Sequence, residues 1–287
     1  MDKSMENPTD KSISKPINDK FWSRALTLWA VKILSHRYIS RFWWKHGVLF
    51  LSKFCIKTSP FGSLVEAHTM QFIAQHTSIP VPKVFCAFVH KGRSYIVMER
   101  ISGESAAFGW VRRPEESKRK ILAQLKDLGQ DLRNVSPPEG TGVANILGGP
   151  VFDARLPGKS FWGPFATQED FHQELRNGIS LDVGLDVNAD LRSHPGLIDV
   201  FTFHKQQFPP PALTHGDLSS FNILVRGDDV VSIVDWETAG WYPSYWEYIC
   251  AWNVNPYNPF WQDEVNKFME PMCHELEMDG LRRRYFG

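Results

Sequence analysis

The spacing of apolar and polar residues predicts a strand-rich first third of the chain and a helical remainder. Apolar residues recur at helical spacing over 21–36 and 64–76, while the shorter apolar runs over 41–57 and 84–100 predict strands. This order of elements indicates a small N-terminal lobe that ends at a hinge near Glu99.

The remainder begins with a long amphipathic pattern over 114–135, which predicts a helix. Its predicted buried stripe consists of Ile121, Leu125, Leu128 and Leu132. Residues 136–165 are rich in Gly and Pro and predict an extended loop. Further helices are predicted over 167–177 and 195–208, before three consecutive prolines at 209–211 interrupt the pattern.

These patterns divide the chain into a flexible leader at 1–20, a small β-rich N-lobe at 21–100 and a mainly helical C-lobe at 101–287. A chain of 287 residues with 43% hydrophobic content is large enough to bury one or two substantial cores. The predicted fold class is therefore α+β with two lobes.

Charge and cysteine content exclude several kinds of protein. The formal net charge is zero, so the basic excess typical of nucleic-acid binding is missing and we predict no nucleic-acid partner. The four cysteines are widely spaced and form no CxxC pair, which argues against a zinc site or a disulfide framework. The polar leader lacks the apolar core of a secretory signal. We therefore expect a cytoplasmic protein.

The most informative pattern lies within residues 214–240. Phosphoryl transfer needs a carboxylate at the attacking hydroxyl and oxygen ligands that hold Mg²⁺ against nucleotide phosphates. Asp217, in a tight loop, is the candidate carboxylate. The apolar runs on both sides of residues 226–229 predict a β-hairpin, which would return Asp235 beside Asn222 as a pair of metal ligands.

Each of these residues also has an ordinary structural explanation. Asp217 could cap a turn and Asp235 could end a strand, but the joint pattern favours the metal-assisted site. His215 precedes Asp217 by two positions and could be mistaken for a general base. We predict instead that His215 packs and hydrogen-bonds to hold the loop.

The chain resembles the aminoglycoside phosphotransferase-like kinases, particularly the branch common in fungi, which share a bilobed protein-kinase-like fold. The resemblance extends over nearly the whole chain. The segments that carry it are HGDLSSFNIL at 215–224, IVDWETAGWYPSYWEY at 233–248, FCIK at 54–57, EAHTMQFIAQHTSIPVPKV at 66–84, YIVMERISGES at 95–105, and GGPVFDAR and GPFATQEDFH within 148–172.

This resemblance implies roles for individual residues. Asp217 matches the catalytic aspartate of the family, and Asn222 and Asp235 match its metal ligands. Lys57 matches the strand lysine that contacts nucleotide phosphates, and Glu66 looks like the partner of that lysine. The implied cofactors are ATP and Mg²⁺, and the implied acceptor is a small hydroxylated molecule.

The local pattern around Lys57 and Glu66 agrees with this pairing. Lys57 ends an apolar strand pattern, and Glu66 begins a helical one. An ion pair between them would fix the direction of the lysine. The alternative is an exposed lysine at a strand end and an acidic residue that stabilises the first turn of its helix.

One departure from the kinase pattern keeps a second interpretation open. Protein kinases cover the phosphates with a glycine-rich loop, yet between Ser35 and Lys57 this chain has only Gly47. The phosphate cover is therefore short or irregular. The alternative to an active enzyme is a pseudokinase-like module that binds a nucleotide or metabolite without turnover.

The segment after Asp235 bears on the acceptor. Protein kinases place a long activation segment there, which forms the platform for a peptide substrate. In this chain Asp235 is followed almost at once by 239–243 and an aromatic-rich helical pattern. We therefore predict a small hydroxylated acceptor rather than a protein.

Residues 20–53 contain seven Lys or Arg and no Asp or Glu, interleaved with aromatic residues. Such a pattern can mark a helix on an anionic membrane surface. The alternative, which we favour, is a helix and first strands packed on the small lobe with their basic side chains solvated or facing phosphates.

Several other polar residues lie near the predicted site in sequence. Glu247 and Asp263 could face a cationic acceptor, but we expect both to be solvated. Most aromatic residues of the aromatic segment 241–261 are expected to form core, and a few could line an acceptor pocket. Asp153 and Arg155 lie in the Gly-rich loop, and the pattern alone assigns them no role.

Overall fold

The fold is described from a computed structural model. The described residues are 15–34, 44–45, 47–156, 158–179, 195–253 and 259–287. Some predicted segments lie outside the described residues. These are residues 1–14 of the leader, residues 35–43 and 46 of the N-terminal pattern, and Tyr257 of the aromatic segment. The chain forms two compact units: the first comprises residues up to 68 and 83–100, and the second comprises 69–82 and 101–287.

The first unit contains an antiparallel sheet with strand order β1-β2-β3-β5-β4. The strands are β1 Trp44–Lys45, β2 Val48–Phe50, β3 Phe54–Ser59, β4 Val84–His90 and β5 Arg93–Glu99. The central strand β3 pairs with β2 and β5, which places Lys57 opposite Val48 on one side and Ile96 on the other. Alternating burial along these strands puts Ile56 and Ile96 in the core.

Helix α1, Phe21–Leu34, packs on this sheet. Leu28 and Val31 contact a buried cluster of Cys86, Phe88 and Tyr95. Arg24 lies over the ring of Phe88, at 4.9 Å from the centroid. Among the described residues no helix combines the length and apolar character needed to cross a bilayer.

Helix α2, Val65–His76, begins in the first unit and ends in the second. Met70 and Ile73 lie on its buried face, as the apolar spacing predicts. Glu66 lies in its first turn, where a negative side chain is favourable because the helix dipole is positive at that end.

The second unit contains short strands that form three small sheets. The strands are β6 Glu104–Ser105, β7 Val151–Phe152, β8 Phe161–Trp162, β9 Ala212–Thr214, β10 Ile223–Arg226, β11 Asp229–Ile233 and β12 Gly240–Tyr242. β10 pairs with β11 and β6, β9 pairs with β12, and β7 pairs with β8, all antiparallel. The β7–β8 pair lies inside 136–165, so that segment is not the purely extended loop that its composition predicts.

Helices supply most of the regular secondary structure described in the second unit. They are α3 Glu115–Arg133, α4 Gln168–Leu175, α5 Pro195–His204, α6 Trp246–Asn253, α7 Pro259–Phe268 and α8 Cys273–Phe286. The predicted α3 stripe is buried at Ile121, Leu125 and Leu132. Aromatic residues of β12 and α6 dominate a large core cluster that includes Tyr242, Tyr245 and Trp246.

Two histidines lie stacked inside that core. The rings of His172 and His204 are 4.5 Å apart between centroids and nearly parallel at 6°. His172 Nε2 lies 2.7 Å from the hydroxyl of Tyr245. Burial, followed by the charge of nearby Arg176, lowers the pKa of His172 to about 3; burial also lowers the pKa of His204, to about 2. Both imidazoles are therefore neutral in the folded protein.

This pair predicts a loss of stability in mild acid. Below the ordinary histidine pKa of 6.5, these two side chains bind protons in the unfolded chain but stay neutral in the folded core. The free energy of unfolding therefore falls as pH drops from 6.5 towards 3. Each histidine contributes a slope of about 1.4 kcal/mol per pH unit. We expect His172→Gln to reduce that slope in urea unfolding measured across this pH range. The control His76→Gln, at an exposed position, should keep the wild-type slope; an unchanged slope in His172→Gln would contradict the assignment.

Candidate functional site

The loop at 215–217 is held between two paired strands. Thr214 at the end of β9 pairs with Gly240 at the start of β12, so the chain leaves the small sheet directly into the loop. Gly216 has a φ of 77°, and a Cβ there would lie 3.0 Å from the carbonyl oxygen of Thr238. Both the left-handed backbone conformation and the tight space therefore favour glycine at this position.

His215 makes the contacts of a residue that holds this loop. Its Nδ1 accepts a hydrogen bond of 3.1 Å from the backbone amide of Asp217, and its Nε2 lies 3.0 Å from the carbonyl oxygen of Val234. This pattern requires a neutral ring that carries its proton on Nε2. The ring also packs on Trp236, with 4.4 Å between centroids. These contacts agree with the structural role predicted for His215.

Glu247 of α6 is buried, which corrects the solvated position expected from the sequence. Its carboxylate accepts hydrogen bonds from the backbone amides of His215 and Gly216. Burial raises the pKa of Glu247, and nearby Arg133 and the two amides lower it. The signal that could have located it is an acidic residue within the apolar run of α6, because buried carboxylates need partners. Asp263, by contrast, is exposed as expected.

Asp217 lies next to Asn222. The side-chain amide Nδ2 of Asn222 donates to the carbonyl oxygen of Asp217 at 2.8 Å and to its carboxylate Oδ2 at 2.9 Å. Burial raises the pKa of Asp217 to about 6, and nearby Asp235 also raises it, while Arg155 and the Asn222 hydrogen bond lower it. The carboxylate is thus only partly exposed and its direction is fixed.

The predicted hairpin is present and returns the chain to Asn222. β10 and β11 pair from Ile223 with Ile233 to Arg226 with Asp229. Beyond the last pair, the amide of Val234 donates to the carbonyl oxygen of Asn222 at 2.9 Å. Asp235 follows at once, in a left-handed backbone conformation with φ 68° and ψ 58°. The structure therefore brings Asp217, Asn222 and Asp235 into one neighbourhood.

Asp153 and Arg155 also lie at this loop. The guanidinium of Arg155 forms a bidentate pair with the buried carboxylate of Asp153, with both N–O distances 2.8 Å. The same guanidinium donates to the carbonyl oxygen of Gly216 and lies 3.4 Å from Oδ1 of Asp217. The sequence could not locate this contact, because the two residues are far from Asp217 along the chain.

Lys57 and Glu66 form an ion pair within the first unit. The distance from Lys57 Nζ to Glu66 Oε1 is 2.9 Å, and the side chains are 14% and 8% exposed. Lys57 is therefore not the exposed lysine at a strand end that the alternative interpretation expects. The pair fixes the direction of the ammonium group, because a buried charge depends on its partner.

The strands before Lys57 are short. Lys45 of β1 pairs with Val48 of β2, and Gly47 between them has a φ of 78°. The backbone amide of Thr58 donates to the carbonyl oxygen of Gly47 at 3.1 Å. Gly47 is thus fixed by the sheet.

Residues 53–284 match the model of the phosphotransferase enzyme family, which is most of the chain. The chain belongs to this family. A search of curated proteins gave no significant match. The predicted resemblance to aminoglycoside phosphotransferase-like kinases is confirmed.

Solved aminoglycoside phosphotransferases share the fold at low sequence identity. APH(4)-Ia is 13% identical with a TM-score of 0.58, and the match covers 91% of this chain and 88% of that chain. A thermostable mutant of the same enzyme, in a ternary complex with ADP and hygromycin B, is also 13% identical with a TM-score of 0.58, over 90% and 88% of the two chains. ADP-bound APH(2″)-Ib is 13% identical with a TM-score of 0.52, over 87% and 85%. These matches confirm the predicted α+β, protein-kinase-like fold class.

Glu247 is predicted to stabilise the fold, because it is buried and accepts hydrogen bonds from two loop amides. Glu247→Ala leaves two buried amides without their acceptor, so we expect the free energy of unfolding to fall by about 2–4 kcal/mol in urea. Glu247→Gln keeps one acceptor oxygen and should lose less. The exposed control Asp263→Ala should change stability by less than about 0.5 kcal/mol. Equal losses in Glu247→Ala and Asp263→Ala would contradict this role.

Proposed function

We propose that this phosphotransferase transfers the γ-phosphoryl group of ATP to a hydroxyl of a small molecule with the assistance of Mg²⁺. The observation that supports it best is the arrangement of Asp217, Asn222 and Asp235 around one loop and one hairpin. Membership of the family supports the reaction class.

In this proposal Asp217 orients the acceptor hydroxyl and receives its proton as the bond to phosphorus forms. The bond from the γ-phosphorus to the bridging oxygen of ATP breaks, and ADP leaves with that electron pair. The hydrogen bond from Asn222 fixes the carboxylate for this role, because it holds Oδ2 and leaves Oδ1 towards Arg155.

The oxygen atoms of Asn222 and Asp235 fit a magnesium ion. Asn222 uses its amide nitrogen to hold Asp217, so its amide oxygen is the atom suited to a metal. Asp235 supplies a carboxylate, and oxygen donors of both kinds are the ligands that Mg²⁺ prefers. When bound, the ion would neutralise charge on the phosphates during transfer.

Lys57 is proposed to contact the nucleotide phosphates, with Glu66 holding it in place. The buried ion pair supports this, because an ammonium with a fixed direction loses little freedom when it binds an anion. The enzymes found with ADP bound belong to the same fold, which supports a nucleotide as donor.

A small acceptor is supported by the short chain after Asp235. The turn Trp236–Thr238 leads directly to β12, which is paired with β9. That connection leaves no length for a peptide platform. The solved aminoglycoside phosphotransferase in complex with ADP and hygromycin B shares this fold, and hygromycin B is the ligand of that protein.

The second candidate is a binding module without turnover. It is favoured by the sparse glycine content before Lys57, where Gly47 is held by Thr58. This module would hold a nucleotide or a metabolite, and only the first candidate predicts phosphoryl transfer.

Substitutions at the two aspartates separate binding from transfer. We expect the Asp217→Asn protein to bind Mg²⁺-ATP as the wild type does. Its rate of phosphate release should fall about 10³-fold, because the group that accepts the proton is gone. Asp235→Asn should weaken binding of Mg²⁺-ATP in a thermal-shift titration, because a metal ligand is lost. Phosphate release and binding are measured on the same preparations.

The matched control is Asp229→Asn, an exposed carboxylate on the same hairpin. It should behave as wild type in both assays. A folded wild-type protein that does not bind Mg²⁺-ATP would rule out the kinase and leave a module that binds a metabolite. Binding by the wild type with no transfer to any hydroxylated compound would leave the binding module.

We further propose that Arg155 is a positioning residue for Asp217. The buried carboxylate of Asp153 fixes the guanidinium, which in turn contacts the loop at Gly216 and Asp217. A positive charge held there keeps the carboxylate in one place and limits its repulsion by Asp235.

Replacing Arg155 should slow turnover without changing nucleotide affinity. We expect Arg155→Met to lower kcat about a hundredfold while the KM for ATP changes little, because a displaced carboxylate no longer meets the hydroxyl. Arg155→Lys should recover part of the rate. The control Arg119→Met removes an exposed arginine of α3 that pairs with Glu116 and should leave kcat unchanged. A parallel loss of ATP affinity in Arg155→Met would argue against positioning.

A further inference from the structure

Helix α1 has a second apolar face that points away from the sheet. Trp22, Leu26, Trp29 and Ile33 are 73%, 63%, 64% and 39% exposed. Their spacing alternates four and three residues, which places them on one side of a helix. Leu28 and Val31, which pack on the sheet, lie on the opposite side.

Exposed apolar groups of this size and continuity are unusual on a monomer surface. Phe21, at the start of the same helix, is 76% exposed and packs edge-on against Trp22. Phe21 and the four side chains of the stripe therefore expose aromatic and aliphatic surface along α1. A stripe of this kind marks an interaction surface.

The charge of this region indicates the chemistry of the partner. Residues 20–53 contain seven Lys or Arg and no acidic residue, in a chain whose net charge is zero. Lys20 and Lys32 are exposed beside the stripe. Arg24 is turned to the other side, where it pairs with Asp19 at 2.8 Å. The described segment 15–34 therefore combines an exposed apolar stripe with four Lys or Arg residues and one Asp, which is a net positive charge.

A second copy of the chain fits this face poorly. Two such helices would bring two segments of net positive charge together, and like charges in contact are unfavourable. An anionic bilayer satisfies both features, because its headgroups attract Lys and Arg and its interfacial region accommodates Trp.

We propose that helix α1 docks this phosphotransferase on anionic membranes, with the stripe of Trp22, Leu26, Trp29 and Ile33 buried at the headgroup boundary. One face of the helix packs on the sheet, and the opposite face would contact lipid. A membrane role is therefore compatible with the packing on the small lobe that we favoured from the sequence. The inference does not depend on the transfer reaction.

The test is co-sedimentation of the full chain with phosphatidylcholine vesicles that contain or lack phosphatidylserine. We expect the wild type to bind the anionic vesicles and to be released when the salt concentration rises from about 0.1 M to about 1 M. The double substitution Trp22→Ser and Trp29→Ser should lower the partition coefficient roughly tenfold or more, because the apolar contact is lost.

The matched control removes two exposed apolar residues elsewhere. Phe108 and Val111 are 70% and 73% exposed in the second unit, and their replacement by Ser should leave vesicle binding unchanged. Because all four positions are exposed, the variants should keep the wild-type melting temperature.

A second measurement uses vesicles with brominated lipid, which quench tryptophans in contact with the bilayer. Trp22→Phe with Trp29→Phe should still bind, since the stripe stays apolar, but should be quenched less than the wild type. Equal binding with and without phosphatidylserine, or unchanged binding by the Trp→Ser protein, would overturn the proposal. So would binding to polyglutamate without binding to vesicles, or a lipid-free dimer that the Trp→Ser protein cannot form.

Discussion

The active-site candidate depends above all on one buried carboxylate. Glu247 accepts the amides of His215 and Gly216, so the helix that carries it fixes the course of the loop leading to Asp217. A buried carboxylate without partners would be costly, and the loop amides are the partners that make its position favourable. Glycine is favoured at position 216 because a Cβ there would lie only 3.0 Å from the carbonyl oxygen of Thr238. The position of the loop and the position of helix α6 therefore depend on each other.

Around this fixed loop, opposite charges are balanced at short range. Asp217 has neighbouring carboxylates in Asp153 and Asp235, whose repulsion Arg155 offsets. Asn222 holds the carboxylate from the other side with a neutral donor. In the first unit, Lys57 and Glu66 are balanced in the same way. Groups that are fixed before the substrates bind need little rearrangement during the reaction, which is the general basis of electrostatic catalysis.

Sequence patterns predicted the parts of the site whose contacts join residues close together in the chain. The hairpin of β10 and β11 follows from two apolar runs around a turn, and it carries Asp235 to Asn222 as expected. Glu247 and Arg155 were not located, because their contacts join positions far apart in the chain and depend on tertiary packing. Likewise, the apolar spacing of α1 predicted a helix, but it does not distinguish the face that packs on the sheet from the face that stays exposed.

The central claim is that Asn222 and Asp235 hold a metal ion that binds with the nucleotide. Calorimetric titration of the wild-type protein with a non-hydrolysable ATP analogue, in Mg²⁺ and then in EDTA, tests it most directly. If Asn222 and Asp235 are metal ligands, the analogue should bind at least about tenfold tighter with Mg²⁺, a difference of about 1.4 kcal/mol. Equal affinity in the two buffers would contradict it.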